Sequence, residues 1–220
     1  MKSSGLIVSV RVFALAACVA AGGGCASKDK GRDRAAKAVG GMKETRSEVA
    51  AARKQVDEVL AAAAGVQSAQ TNLAPAYNTY KKEVAEMEDA AKDTRDRWQD
   101  MQSRGQEYQA KWRAEMATVD SPELKAAAEA RAAKVGQRYA EITAKALEAR
   151  AAYEPFIKDL KDLQTYLSND LTPAAVQAAA PVFQRVQASG QSLNQKLDAF
   201  SHELDAVAAE MSPTGGGAPG

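Results

Sequence analysis

The chain has 220 residues, 45% apolar and 26% charged, with a formal net charge of +1, the composition of a folded protein and not of a disordered one. Its acids and bases are interleaved, as in Asp93 with Arg97 and Glu107 with Lys111, which argues against a nucleic-acid binder, since those carry a basic face or stripe. Only 5% of residues are aromatic, so alanine must supply much of the buried surface, and that favours thin helices packed closely.

Residues 1–24 read as an export signal: Lys2, a second positive charge at Arg11, an apolar run from Val12 to Ala21, then three glycines. Arg11 divides this stretch into pieces too short for a spanning helix, which needs about 20 apolar residues. Both cysteines, Cys18 and Cys25, lie at this end. Their surroundings resemble the lipobox of bacterial lipoproteins, a short run whose cysteine becomes lipidated and N-terminal. Gly22-Gly23-Gly24-Cys25 fits by position and Leu15-Ala16-Ala17-Cys18 by letter; Cys25 is the expected acylation site, with Cys18 the alternative and ordinary cleavage with free secretion a third outcome. Ala26, and not Asp, follows Cys25, which in enteric-type bacteria directs a lipoprotein to the outer membrane, facing the periplasm. Acyl chains at about 0.8 kcal/mol per buried methylene would anchor it without a spanning segment.

Residues 25–41 are polar, charged and glycine-marked, ending in Gly40-Gly41, and read as a tether. From Met42 to Met211 apolar residues recur at alternating spacings of three and four, the seam pattern of packed helices. Four helices are expected, at about 42–73, 75–118, 122–170 and 173–211. Ser121-Pro122-Glu123 gives a capping hydroxyl, a proline at the first helical position and an acid in the first turn. Thr172-Pro173 repeats the first two, and Pro75 marks the first reversal. Pro155 and Pro181 fall inside periodic runs and each removes a backbone donor, which predicts a kink at Pro155 and a kink or late helix start at Pro181. Residues 212–220 are proline and glycine without period and read as a disordered tail.

The fold class is therefore all-α, an elongated antiparallel bundle or coiled coil of four long helices. Pairing the seams antiparallel about the chosen corners places Ala52, Trp98, Ile142 and Phe200 in one layer, Ala63, Met87, Tyr153 and Gly190 in another, and Thr45, Gly105, Val135 and Val207 in a third. Each mixes large with small, as close packing demands.

Catalytic chemistry has little to work with. The single histidine, His202, lies opposite the Leu197–Phe200 seam, where an exposed role is expected; di-iron bundles need inward carboxylates with Glu-x-x-His on two helices. No nucleophile elbow, phosphate-cradling loop or zinc spacing occurs, so no catalytic, metal or cofactor residues are assigned and no enzyme is expected. The aromatic residues Tyr77, Tyr80, Trp98, Tyr108 and Trp112 could line a groove for an apolar ligand, but core packing against the alanine-rich segments 61–64 and 126–133 is the favoured reading. Trp112, near the end of the rod, is the candidate for partner docking.

The run Tyr153-Glu154-Pro155-Phe156-Ile157 through Leu167-Ser168-Asn169-Asp170-Leu171-Thr172 resembles the central segment of an uncharacterised bacterial family of helical coiled-coil lipoproteins, a domain of unknown function (2959). The resemblance extends more loosely over the last three helices. It implies an exported, coiled-coil-rich envelope protein, with Pro155 a shared feature and no catalytic or ligand residues to carry over. The functional expectation is a lipid-anchored envelope spacer, scaffold or adaptor with no chemistry of its own. It would touch the membrane through its N-terminal lipid, engage another envelope protein, and could pair with copies of itself through the same seams. The alternative is a periplasmic helical carrier for a lipid or other apolar ligand.

Overall fold

The structure, a computed structural model, describes residues 26–69 and 71–212, with side chains from Gly31 onward. The expected export signal, both cysteines and the expected tail beyond Ser212 lie outside the described residues. Within them the chain is all-α: α1 Ala26–Ser68, α2 Leu73–Ala117, α3 Pro122–Asn169, a short α4 Pro173–Ala178, and α5 Ala180–Met211. At 1.5 Å per residue the three longest helices, of 43, 45 and 48 residues, run about 65–72 Å each. They form an elongated antiparallel bundle in which α2 lies beside α1, α1 beside α5, and α5 beside α3, while α3 returns to α2 over a much shorter stretch.

The seam residues make one continuous core. Met42, Val56 and Val66 of α1, Tyr80 and Met101 of α2, Ile142, Phe156 and Leu160 of α3, and Leu193, Phe200 and Val207 of α5 are all buried, each large side chain contributing about 1.5–3 kcal/mol. Outside the seams, α1 is tied to α5 by Arg46–Asp205 at 2.6 Å and Arg53–Asp198 at 2.8 Å, and α3 to α5 by Arg138–Glu210 at 2.8 Å and Lys196–Glu148 at 3.0 Å. Exposed pairs of this kind contribute about 0–1 kcal/mol each, so they fix register more than they stabilise.

Three expectations need correction. The tether assigned to residues 25–41 is not one: α1 is helical from Ala26, and Ala38, Val39, Gly41 and Met42 are buried. A Cβ on Gly41 would stand 3.5 Å from the Met101 Cα, and Arg34 pairs with Glu115. The far end of α2 thus covers this segment, and burial there offsets the helical cost of two glycines, about 1 kcal/mol each.

The first corner comes earlier than Pro75. Helix α1 ends at Ser68, the chain turns through Asn72 at φ 52°, and Pro75 sits in the first turn of α2, where its missing N–H would have had no partner. The α1–α2 register moves with the corner. The Thr45 hydroxyl lies 3.2 Å from the Arg97 carbonyl and that of Thr94 3.3 Å from the Glu48 carbonyl, so Thr45, and not Ala52, is level with Trp98's neighbour.

Third, the expected fourth helix is two. Pro181 lacks the donor that would continue α4, and the chain restarts as α5 with Pro181 in its first turn. Pro155, by contrast, lies within an unbroken α3 on its exposed side.

Candidate functional site

The contact between α2 and α3 is made at its two ends and opens between them. At one end Tyr77 and Tyr80 of α2 donate their hydroxyls to the α3 carbonyls of Gln164 at 2.8 Å and Leu160 at 2.6 Å. Burial pushes the Tyr80 hydroxyl well above the usual phenol range, as expected of a phenol held in its protonated, donating form. At the other end the absence of a side chain at Gly105 admits the Tyr139 ring, which a Cβ there would meet at 2.4 Å.

Between these clasps lies an open groove of about 710 Å³. Its α2 wall includes Met87, Ala91, Thr94 and Trp98, and its α3 wall Thr143, Ala146, Ala149 and Tyr153. Leu193, Leu197 and Phe200 of α5 and Ala52 of α1 form the floor. Trp98 packs edge to face on Phe200, with ring centroids 5.7 Å apart at 76°, so that pair of the expected layer does form. Tyr153 is half-buried and its hydroxyl is pushed up to about 12, chiefly by burial, with Glu88 adding to the shift and Arg95 opposing it.

The rim is charged. Lys161 of α3 reaches Glu88 of α2 at 2.9 Å, a strap near the Tyr153 end. Arg150 pairs with Glu154 at 3.1 Å, while Lys92 and Arg95 share Asp96 at 3.3 and 3.8 Å. Leu147, 59% exposed, stands on the same rim.

The residue singled out for docking, Trp112, is half-buried away from this groove. It lines a small depression with Tyr108, Arg113, Arg131 and Val135 near the α2–α3 corner, the end of the bundle where α1 begins. His202 is exposed, as its position opposite the seam predicts. Cys25 and Cys18 are not among the described residues. Among those that are, no group of histidine, cysteine, aspartate and glutamate is placed to hold a metal, and no helix is long and apolar enough to cross a membrane.

Residues 24–211 match the family described as "Protein of unknown function (DUF2959)". The chain belongs to that family. No curated protein and no solved structure matches it. The match to DUF2959 takes in every helix of the bundle, so the groove, its clasps and the Trp112 end all fall inside the family's span. Sequence reading named Trp98 as a groove candidate but missed the small residues that make the groove. Its own α2–α3 pairing sets Ala91 opposite Ala149 and Thr94 opposite Ala146, a stretch with no large side chain on either wall, and that was the available signal.

Proposed function

We propose that this DUF2959 chain is an exported lipoprotein, acylated at Cys25 with Cys18 the alternative, that is held on an envelope membrane and works by binding and spacing partners, without catalysing a reaction. The outer membrane, facing the periplasm, is the compartment this reading favours. The observation that carries it is the form of the bundle, a rod of helices about 65–72 Å long joined along one continuous apolar core. The family match opening at Gly24 supports processing at this point, because it leaves the apolar leader outside. Trp112, at the end where α1 begins, is the side chain a partner close to the membrane would meet.

Mass spectrometry of the N-terminal peptide from cells tests the anchor. A diacylglyceryl group on Cys25, lost together with membrane association in Cys25→Ser, is the expected result. Acylation that persists in Cys25→Ser and disappears in Cys18→Ser moves the anchor, and an unmodified N-terminus overturns it. The groove between α2 and α3 favours a second reading, a carrier that holds an apolar ligand.

A further inference from the structure

Close-packed interiors leave few voids larger than a water molecule, and an unfilled apolar groove forfeits packing along every wall. Here the small residues Ala91, Thr94, Ala146 and Ala149 lie between two large ones, Trp98 and Tyr153, in a bundle whose other neighbouring helices pack along their length. The two threonine hydroxyls of the walls are satisfied within their own helices: Thr94 donates to the Ala90 carbonyl and Thr143 to the Tyr139 carbonyl, both at 2.8 Å.

We infer that it holds a single-chain amphiphile, one acyl chain carrying an anionic head group, with the chain on the Trp98–Leu197–Phe200 floor and the head among Lys92, Arg95 and Arg150. This rests on the carrier reading and is independent of the anchor.

Size, length and charge support that occupant. A volume of about 710 Å³ lies within the roughly 300–1,000 Å³ of small-ligand sites. The lining runs along α2 from Met87 to Gln102, about 22 Å at 1.5 Å per residue, whereas one acyl chain covers about 15 Å, half of a hydrocarbon core of roughly 30 Å. The three cations of the mouth share two carboxylates, Asp96 and Glu154, and Glu88 is taken by Lys161. One positive charge is left over, which suits a carboxylate or a phosphate monoanion.

The groove carries its own reporter, since Trp98 and Trp112 are the chain's two tryptophans. The test uses the full chain with Cys18→Ser and Cys25→Ser, handled without detergent, and Trp112→Phe, so that Trp98 alone emits. A fatty acid brominated in mid-chain should quench Trp98 saturably at one probe per chain, and its methyl ester should bind about tenfold more weakly for want of the charge-assisted contact. Filling the groove with Ala146→Phe should weaken quenching at least about tenfold while the circular dichroism stays helical; Ala91→Phe serves if that variant does not fold.

Absence of quenching, or undiminished quenching in a folded, filled variant, overturns the site. An ester that binds as tightly as the acid overturns the anionic head group while leaving a carrier of neutral apolar ligands. Protection of Trp98 from acrylamide that grows with protein concentration would assign the groove to a second copy of the chain. Because neither cysteine is present, none of these results depends on acylation.

Discussion

Gly190 and Gly136 are both helical and differ in what surrounds them. A Cβ on Gly190 would stand 2.8 Å from Leu60 Cδ2 and 3.0 Å from Phe156 Cε2, both side chains buried, whereas one on Gly136 would meet nothing within 4 Å. Alanine gains up to about 1 kcal/mol over glycine in a helix, and overpacking a filled core costs about 1–3 kcal/mol. Gly136→Ala should therefore stabilise by about 0.5–1 kcal/mol and Gly190→Ala should destabilise by about 1–2 kcal/mol, read by urea unfolding; the same sign for both would refute the packing at Gly190. The contrast also marks what single residues disclosed. Seam positions gave away Phe156, Leu160 and Phe200 as core, since burial follows the three-four period. Which large side chain each glycine admits depends on register across helices: Gly190 meets Leu60 and Phe156 instead of Ala63 and Tyr153.

The helix starts at Pro122 and Pro173 were legible because capping is local chemistry. Ser121 accepts the Leu124 N–H at 3.3 Å and Thr172 that of Ala175 at 3.2 Å. Ser121→Ala should cost about 1 kcal/mol while leaving helix content in place, measurable by thermal melting. An unchanged melt would show that the α2–α3 corner is held by its neighbours and not by its cap. The first corner was less legible, because a proline is equally at home at a reversal and in a first turn; Asn72, one of the residue types that tolerate a left-handed backbone, was the better marker. The extra helical length of residues 26–41 was hidden for another reason. Its glycines speak against a helix locally, and what overrides them is the α2 surface around Met101 and Glu115, which local sequence does not display. The groove was legible only at Trp98, because the layers between Trp98 and Tyr153 have no large side chain on α2 or α3 to mark them.

For the assembled bundle, proton linkage sets a stability plateau. Arg138 holds Glu141 and Glu210 below the usual carboxylate value of 4.5, Gln55 does so for Glu83, and Lys145 with Lys196 for Glu148. Groups lowered on folding contribute above their unfolded value, and that contribution fades as pH falls below about 4.5 and through the folded values. Burial raises Tyr80, and takes Tyr139 and Tyr153 up to about 12. Their contribution is complete below about pH 10 and fades as pH climbs through the raised values. Melting temperature followed by circular dichroism should accordingly stay flat between about pH 5 and 9 and fall on both sides, the acid fall being the more sensitive to added salt because those carboxylates are exposed. A steady slope across the neutral range would contradict this. Ala52, on the groove floor, lies twenty-six residues along α1 from Ala26, about 39 Å up the shaft. Were Cys25 acylated as proposed, its fatty chain would reach about 15 Å and fall short of the opening, so a guest lodged there would be a separate molecule.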